Sequence, residues 1–292
     1  MMKKDEKLHL IALAPLLSDG EKTELWIDKT YNSFTIGGRS RKRRKISCPS
    51  EELMAAQKKL YEALLVHIAP HPSATAFYPG RNIGDNARSH LGRPFLYKTD
   101  ISNFFASIRR PLVCNTLETM YPYLSKSAVE EIVELVTYED ALPQGAPTSP
   151  HLANLTLIHF DKLLWAVSNR FDACYTRYAD DISVSASSHE DLQLIASIVR
   201  SGLAELNLDQ HQAKTKFLGP KERKLVTGLD VSGTTVRPPR KYRKKVAALV
   251  RMSERYNRRA TGAHLGRIKG YLAHWESVAP DDDDAKALNE RV

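Results

Sequence analysis

Two adjacent aspartates, Asp180 and Asp181, are the residues of this chain whose types and placement most suggest chemistry. They stand between two stretches that alternate as β-strands do, 173–177 and 182–186, so the sequence predicts a hairpin with both acids at its tip. Like charges crowd there, and a divalent cation would neutralise them. Because surface turns are rich in aspartate, the interpretation of this pair depends on residues upstream of it.

Three segments occur in order along the chain. Residues 97–105 (YKTDISNFF) place Asp100 near the end of a predicted strand and an aromatic residue, Phe105, five positions later. Residues 142–150 (LPQGAPTSP) form a turn-rich loop before a predicted helix, and residues 178–181 (YADD) contain the acidic pair. Together they resemble motifs A, B and C of reverse transcriptases. The resemblance implies an α+β right-hand polymerase fold with fingers, a palm of antiparallel sheet packed on helices, and a small helical thumb.

The resemblance also implies a role for the acids in RNA-directed DNA synthesis. In nucleotide addition a 3′ hydroxyl attacks an α-phosphate, and negative charge builds on the attacking and leaving oxygens. Two Mg²⁺ ions about 3.5–4 Å apart stabilise both oxygens, and Mg²⁺ prefers carboxylate ligands. Asp100 and Asp180 are therefore expected to bind the metal ions, with Asp181 completing the acidic cluster and the Ile101 carbonyl as an extra ligand.

Four residues are expected, by the same resemblance, to bind the nucleoside triphosphate. Phe105 lies where the family keeps an aromatic residue that blocks the ribose 2′ hydroxyl, which favours dNTP over NTP; a core phenylalanine is the alternative. Gln144 is expected to shape the nucleotide pocket, and Lys214 to protonate the leaving pyrophosphate unless it is a surface lysine. Arg44 is expected to bind the triphosphate, since a guanidinium pairs with phosphate oxygens in bidentate fashion. Arg44 belongs to a basic cluster made of Arg39, Arg41, Lys42, Arg43, Arg44 and Lys45. The alternative role of this cluster is a generic polyanion-binding patch.

Two shorter segments narrow the family. Residues 86–90 (NARSH) match the NAxxH signature before motif A in retron reverse transcriptases, and residues 226–228 (VTG) match their VTG signature after motif D. A polar loop with local hydrogen bonds and an ordinary strand end are the alternatives. RNA contacts are expected from Asn86, His90, Val226, Thr227 and Gly228.

A retron enzyme implies a dedicated RNA partner. Such an enzyme binds its own structured non-coding RNA, starts DNA from the 2′ hydroxyl of a guanosine, and makes branched RNA-linked single-stranded DNA (msDNA). It often serves in anti-phage defence with an effector protein encoded nearby. The alternatives are another bacterial reverse transcriptase, of group II intron-like or abortive-infection type, and a non-catalytic RNA-binding scaffold. The intact set of Asp100, Asp180 and Asp181 argues against the scaffold.

The charge of the chain agrees with a nucleic-acid partner. Its 292 residues are 42% hydrophobic, which allows a sizeable core, and carry a net charge of +9. That balance favours nucleic acid before membrane. Much of the charge lies in a predicted basic amphipathic helix, whose alternative role is a solvated face. RNA contacts are expected there from Arg240, Arg243, Lys244 and Arg251.

The cysteines and the first apolar run favour a cytoplasmic protein. The three cysteines lie far apart and form no CxxC motif, as expected in a reducing compartment. The apolar run 8–17 is too short to span a bilayer, and it is interpreted as a short packing helix. No membrane partner is expected.

The elements that must position these residues follow from periodicity. The predicted boundaries are an N-terminal helical extension at 1–27, fingers and palm at 28–230, and a thumb at 231–292. Ser149 is expected to cap a helix that runs to about 169, with proline at its first helical position. The acidic run 281–284 is expected to be a solvated tail. Strands are predicted at 31–36, 46–48, 95–101, 173–177, 182–186, 214–218 and 224–231, and helices after Ser50 and Ser188, at 110–121, 126–137 and 263–277, and from Arg240.

Overall fold

The computed structural model describes residues 7–37, 43–255 and 262–292. The strands are β1 (Lys7–Leu10), β2 (Leu25–Asp28), β3 (Tyr31–Ile36), β4 (Arg44–Pro49), β5 (Phe95–Asp100), β6 (Cys174–Tyr178), β7 (Asp181–Ala186), β8 (Lys216–Leu218), β9 (Leu225–Val226) and β10 (Leu229–Asp230). The helices are α1 (Ala14–Leu17), α2 (Glu51–Ala63), α3 (Ile83–Arg88), α4 (Phe104–Ser107), α5 (Arg110–Met120), α6 (Lys126–Val136), α7 (Ser149–Thr156), α8 (Ile158–Arg170), α9 (His189–Glu205), α10 (Arg240–Arg255), α11 (Gly262–Val278) and α12 (Asp283–Asn289).

The chain divides into two compact units, each assembled from three separate stretches of sequence. Unit 1 comprises Met1–Pro72, Ile101–Lys162 and Ser201–Gln210. Unit 2 comprises Ser73–Asp100, Leu163–Arg200 and His211–Val292.

Unit 1 combines two antiparallel ribbons, β1–β2 and β3–β4, with helices that pack on one another. Helix α6 shows why these segments are helical. The Ser125 hydroxyl accepts a hydrogen bond from the Ala128 amide and so caps the helix. Val129, Ile132 and Val133 follow at helical spacing and are almost fully buried. This face packs against α2 and α5, which places the hydrophobic core of unit 1 among these helices.

Unit 2 is built around a four-stranded antiparallel sheet with the strand order β6-β7-β5-β8. Because side chains alternate along a strand, Asp181, Ser183 and Ser185 of β7 share one face of this sheet. Asp100 lies opposite Asp181 and Lys98 lies opposite Ser183, so both belong to that face as well. The sheet thus gathers charged and polar side chains on a single face.

The helices of unit 2 enclose a separate apolar cluster. Val246 and Val250 of α10, Leu272 and Trp275 of α11, and Leu288 of α12 meet there. The β9–β10 hairpin and α3 contribute further buried side chains to the same cluster. Across the described residues, no helix combines the length and apolar character needed to cross a membrane.

Three predicted elements differ from the structure near the chain ends and at 224–231. The N-terminal extension is a strand followed by one helical turn, because β1 finds a pairing partner in β2. Residues 224–231 form the β9–β10 hairpin instead of one strand. The acidic run is not a solvated tail throughout: Asp282 is 1% exposed. Its carboxylate accepts a hydrogen bond from Trp275 Nε1 at 2.9 Å, which compensates its burial.

The prediction that Ser149 caps a helix running to about residue 169 was wrong. The cap lies one residue earlier, and the predicted helix is two shorter helices, α7 and α8. Thr148 occupies the cap position and the helix begins at Ser149 itself. Since proline is tolerated at either of the first helical positions, Pro150 alone does not fix the register. The helix then breaks at Leu157, where Thr156 Oγ1 donates to the Leu152 carbonyl at 2.9 Å. Such side-chain bonds compete with the backbone ladder.

The junction of α3 with α11 in unit 2 should be intolerant of a single methyl group. A Cβ added at Gly84 would overlap the Val278 carbonyl oxygen and lie 2.9 Å from Val278 Cα. Gly84→Ala should therefore lower the free energy of unfolding by about 1–3 kcal/mol. In α11, nothing lies within 4 Å of a Cβ added at Gly270. Gly270→Ala should stabilise by about 0.5–1 kcal/mol. Urea unfolding of both variants tests this contrast, which equal effects would contradict.

Candidate active site

The three predicted carboxylates converge at one end of the sheet in unit 2. Antiparallel pairing of β5 with β7 places Asp100 directly opposite Asp181. Pairing of Tyr178 with Asp181 leaves a two-residue turn, Ala179 and Asp180, at the tip of the β6–β7 hairpin. The hairpin predicted from the sequence is therefore present, with the acids at its tip.

Burial and mutual repulsion raise the pKa of two of these acids. Burial, and then the nearby charge of Asp100, raise the pKa of the Asp180 carboxyl to about 6. Burial also raises the pKa of Asp181, although the Lys98 ammonium opposes this effect. The site concentrates more negative charge than its surroundings stabilise.

Two lysines partly compensate that charge. Lys214 Nζ lies 2.6 Å from Asp100 Oδ2, and Lys98 Nζ lies 3.4 Å from Asp181 Oδ2. The sequence interpretation included Lys214 but missed Lys98. A signal was present, because Lys98 precedes Asp100 by two positions and therefore shares its face of the strand.

The chemistry of these donors fits a divalent cation. Among the described residues, no three His, Cys, Asp or Glu side chains are arranged as a ready metal site. Ammonium groups instead contact the carboxylates of Asp100 and Asp181. Carboxylate oxygens are the ligands that hard cations such as Mg²⁺ prefer, and a cation would favour the charged form of Asp180, whose pKa is raised first by burial and then by the charge of Asp100. Ile101, whose carbonyl was expected as a further ligand, follows β5 and forms an antiparallel bridge with Gln210 in unit 1.

The other residues expected to bind nucleotide lie in unit 1. Phe105 is half-buried in α4, with its ring centroid 5.3 Å from that of the buried Phe104. Arg44 begins β4 and is exposed, opposite Ile36. Of the remaining basic cluster, Arg39, Arg41 and Lys42 lie outside the described residues.

A backbone contact in unit 1 joins the Gln144 turn to strand β4. The Ser47 amide donates to the Gln144 carbonyl at 2.9 Å. Gly145 has φ +135°, and a Cβ there would lie 2.7 Å from the Ser47 carbonyl oxygen. Glycine is therefore required at this position both by conformation and by close approach. Ser47 has no pattern that sequence analysis could have recognised, because its contact is made by the backbone.

The two signature segments meet inside unit 2. The Asn86 and His90 side chains are each 1% exposed and Val226 is fully buried. Thr227 Oγ1 donates to the Ile83 carbonyl at 3.0 Å. The other two residues of the VTG segment, Thr227 and Gly228, have φ values of 47° and 82°, as a two-residue β-hairpin turn requires. Buried side chains have no surface on which to contact RNA directly, so a contribution of Asn86, His90 and Val226 to RNA binding would be indirect.

The basic helix α10 presents one strongly positive face. Val246 and Val250 are buried on one side, and the basic residues half a turn away are exposed. Arg243 does not share that outward face. Its guanidinium lies 3.6 Å from Asp284, and its Nε donates to the Pro238 carbonyl at 3.2 Å. The exposed basic side chains are Arg240, Lys241, Lys244, Lys245, Arg251 and Arg255, of which Lys245 donates to Tyr271 Oη at 2.7 Å.

Comparison with known proteins gives the same family as the sequence motifs of this site. The family model for "Reverse transcriptase (RNA-dependent DNA polymerase)" matches residues 29–231. The chain belongs to this family. The retron Ec86 reverse transcriptase of Escherichia coli is 30% identical over 226 residues, which cover 76% of this chain and 70% of the relative. The chain is thus a retron-type member of the reverse transcriptase family, as the two signature segments predicted.

Other retron relatives are longer than this chain. The retron Mx65 reverse transcriptase of Myxococcus xanthus is 29% identical over 277 residues, covering 89% of this chain and 64% of the relative. For the retron Mx162 reverse transcriptase of the same organism, the identity is 29% and the coverage 86% and 58%. This member of the family therefore spans about three fifths of their length.

Solved structures agree on the fold. Telomerase from Candida albicans, in complex with a fragment of telomeric RNA, has a TM-score of 0.57 at 12% identity, covering 90% of this chain and 62% of that chain. Truncated apo telomerase from Candida tropicalis has a TM-score of 0.52 at 11% identity, with coverage of 72% and 55%. The predicted α+β right-hand polymerase fold of a reverse transcriptase is confirmed.

The outward face of α10 makes a prediction about salt dependence. Each phosphate contact that is lost should reduce the slope of log K against log salt concentration by about 0.7–0.9. We expect this for Arg251→Gln with a hairpin RNA, measured by fluorescence anisotropy at several salt concentrations. Arg291→Gln is the matched control, because Arg291 is held by two 2.8 Å contacts to Glu254. Equal slopes for wild type and Arg251→Gln would contradict the expectation that Arg251 contacts an RNA phosphate.

The buried imidazole of His90 predicts a pH dependence of stability. Burial, followed by the charges of Lys98 and Arg93, lowers the pKa of His90 to about 3. Between about pH 6.5, where an unfolded histidine titrates, and pH 3, only the unfolded chain binds this proton. The contribution of His90 to the free energy of unfolding is therefore present in full above pH 6.5. It is lost as the pH falls, at up to about 1.4 kcal/mol per pH unit.

Urea unfolding of wild type and His90→Asn between pH 5 and 8 measures this effect. The wild type should lose stability faster on acidification, since the other titrating groups are common to both proteins. Parallel curves would mean that folding does not lower the pKa of His90.

Proposed function

We propose that the protein is the RNA-directed DNA polymerase of a retron, which synthesises msDNA from a cognate structured non-coding RNA. The observation that carries this proposal is the convergence of Asp100, Asp180 and Asp181 at one end of the unit 2 sheet. Membership of the retron-type reverse transcriptase family supports the choice of reaction.

In this proposal the acids hold two Mg²⁺ ions. When bound by Asp100, Asp180 and Asp181, with the Ile101 carbonyl as a further ligand, these ions would stabilise charge on the attacking and leaving oxygens. Lys98 neutralises Asp181, the acid with the smaller share in metal binding. Lys214, which contacts Asp100 and is half exposed, carries the proton intended for the leaving pyrophosphate.

Residues of unit 1 select and hold the dNTP in this proposal. Phe105 excludes a ribose 2′ hydroxyl, Gln144 shapes the nucleotide pocket, and Arg44 binds the triphosphate. The backbone bond between Ser47 and Gln144 fixes the turn of the pocket against the strand that begins with Arg44. A rigid turn of this kind lowers the entropy lost when the nucleotide binds.

The outward face of α10 binds the RNA. Lys241, Lys244, Arg251 and Arg255 form a stripe suited to phosphates along a duplex, and duplex RNA is recognised mainly by shape and backbone. The boundaries proposed from the sequence, fingers and palm at 28–230 and thumb at 231–292, assign α10 to the thumb. By likeness to retron relatives, the proposal includes msDNA primed from a guanosine 2′ hydroxyl, a cytoplasmic location, and anti-phage defence with a neighbouring effector.

The proposal is tested by the nucleic acid that copurifies after expression with the native upstream locus. Wild type should yield short DNA whose mobility shifts on treatment with a debranching enzyme after RNase. Asp180→Asn/Asp181→Asn should yield none, because the carboxylates needed for metal binding are lost. Asp283→Asn, which changes a carboxylate that is 96% exposed, is the matched control and should behave as wild type.

Two outcomes would contradict the proposal at different levels. Primer extension on RNA with Mg²⁺ and dNTPs, but no branched DNA, would identify another kind of bacterial reverse transcriptase. RNA binding without extension of any primer would favour the non-catalytic scaffold.

A further inference from the structure

Histidine 90 joins the two strands that carry the acidic turn. Its Nε2 lies 2.7 Å from Thr176 Oγ1 on β6, and its Nδ1 lies 2.7 Å from Ser185 Oγ on β7. A neutral imidazole has one N–H donor and one acceptor nitrogen, and a hydroxyl can satisfy either. Both ring nitrogens of this buried side chain are therefore used on the hairpin.

The contacts of His90 report the register of that hairpin. Ser185 shares its sheet face with Asp181, and Thr176 pairs with Ser183 on the same face. A slip of one residue would turn these side chains to the opposite face, together with Asp181. The two hydrogen bonds of His90 therefore require the β6–β7 register in which Tyr178 pairs with Asp181 across the two-residue turn.

Asn86 supports the same hairpin through a second route. Its Oδ1 accepts a hydrogen bond from Thr75 Oγ1 at 2.9 Å. The Thr75 amide donates to the Arg177 carbonyl at 2.8 Å, and the Arg177 amide donates to the Ser73 carbonyl at 2.8 Å. The chain around Ala74 therefore runs along β6, with a parallel bridge between Ala74 and Arg177.

Arg177 carries this support to the turn itself. Its side chain is fully buried, and its guanidinium donates to the Ala179 carbonyl at 3.1 Å. Ala179 has a φ of 57°, a left-handed conformation that is unfavourable for a residue with a Cβ. The hydrogen bond from Arg177 offsets part of that cost beside Asp180.

We propose that Asn86 and His90 are positioning residues, which fix the register of the β6–β7 hairpin and the conformation of the Ala179–Asp180 turn. The retron signature then acts on catalysis from inside unit 2 and not by touching RNA. This inference rests on the proposed function for its catalytic consequence, while its structural consequence is independent of it. The buried hydrogen bonds of His90 and of Asn86 Oδ1 favour one arrangement of the hairpin, because breaking them would leave polar groups buried without a partner.

The first test is hydrogen exchange, which needs no polymerase activity. In His90→Asn, amides of residues 178–182 should exchange up to about tenfold faster than in wild type, as expected from the loss of a net hydrogen bond. His151→Asn is the matched control, because buried His151 bonds the Leu65 carbonyl at 2.8 Å within unit 1. Exchange of the turn that is no faster than in this control would overturn the inference.

A double-mutant cycle tests whether His90 acts through its two hydroxyl partners. Thr176→Val/Ser185→Ala should reproduce the faster exchange of the turn, and adding His90→Asn should increase it little further, because coupled residues are not additive. Thr75→Val tests the Asn86 route separately and should also loosen the turn. Independent, additive effects of His90 and its partners would overturn the mechanism.

Kinetics separate positioning from RNA contact. On a primed RNA template, His90→Asn should lower kcat up to about tenfold, with the dNTP KM and the RNA Kd within about twofold of wild type. A raised RNA Kd with unchanged kcat would overturn the inference and favour direct recognition. If wild type extends no primer, the proposed function fails, and hydrogen exchange still decides whether Asn86 and His90 hold the turn.

Discussion

The antiparallel pairing of β5 with β7 is the constraint on which the site depends. It places Asp100 against Asp181, an arrangement of like charges that by itself destabilises a sheet. Apolar side chains on the same strands, such as Leu96 of β5 and Val184 of β7, are fully buried and stabilise the sheet. The sheet can tolerate the crowded acids because its buried side chains stabilise it and because Lys98 and Lys214 partly neutralise them.

The conformation of the acidic turn is held from several directions. Arg177 bonds the Ala179 carbonyl, and the segment around Ala74 extends the sheet beside β6. His90 bridges β6 and β7 from within unit 2. Each of these polar groups would be costly to bury without its hydrogen bonds. The cost of polar burial thus favours one geometry of the turn.

The Gln144–Gly145 turn of unit 1 is held by a different kind of contact. The Gln144–Gly145 turn approaches β4 so closely that a side chain on Gly145 would collide with the Ser47 carbonyl. The specificity of this contact comes from backbone atoms and from the absence of a Cβ. Close backbone contact restrains the turn without any side-chain interaction, which leaves the Gln144 side chain available for other contacts.

Local patterns determined much of this protein. Alternation predicted the β6–β7 hairpin and helical periodicity predicted α5, α6, α9 and most of α10. These elements depend on neighbours within a few residues, so one sequence reveals them. The resemblance of three motifs to those of reverse transcriptases predicted the family and the acidic site. The break at Leu157 and the burial of Asp282 were missed. A threonine bond to the carbonyl four residues earlier also occurs at Thr116 within the unbroken helix α5, so such a bond does not by itself predict a break. The burial of Asp282 depends on its hydrogen bond with Trp275 of α11.

The roles of several residues were decided only by tertiary structure. Asn86 and His90 were recognised as a signature, but the partners of His90 lie on strands about 90 residues further along the chain. Lys98 acquires its partner only when β5 pairs with β7. Arg243 precedes Val246 and Val250 by three and seven positions and so shares their face of α10, where tertiary packing supplies Asp284 as its ion-pair partner. Sequence periodicity assigns a side chain to a face. Which groups meet that face depends on long-range packing, where a charge or hydrogen bond acts over only a few ångströms.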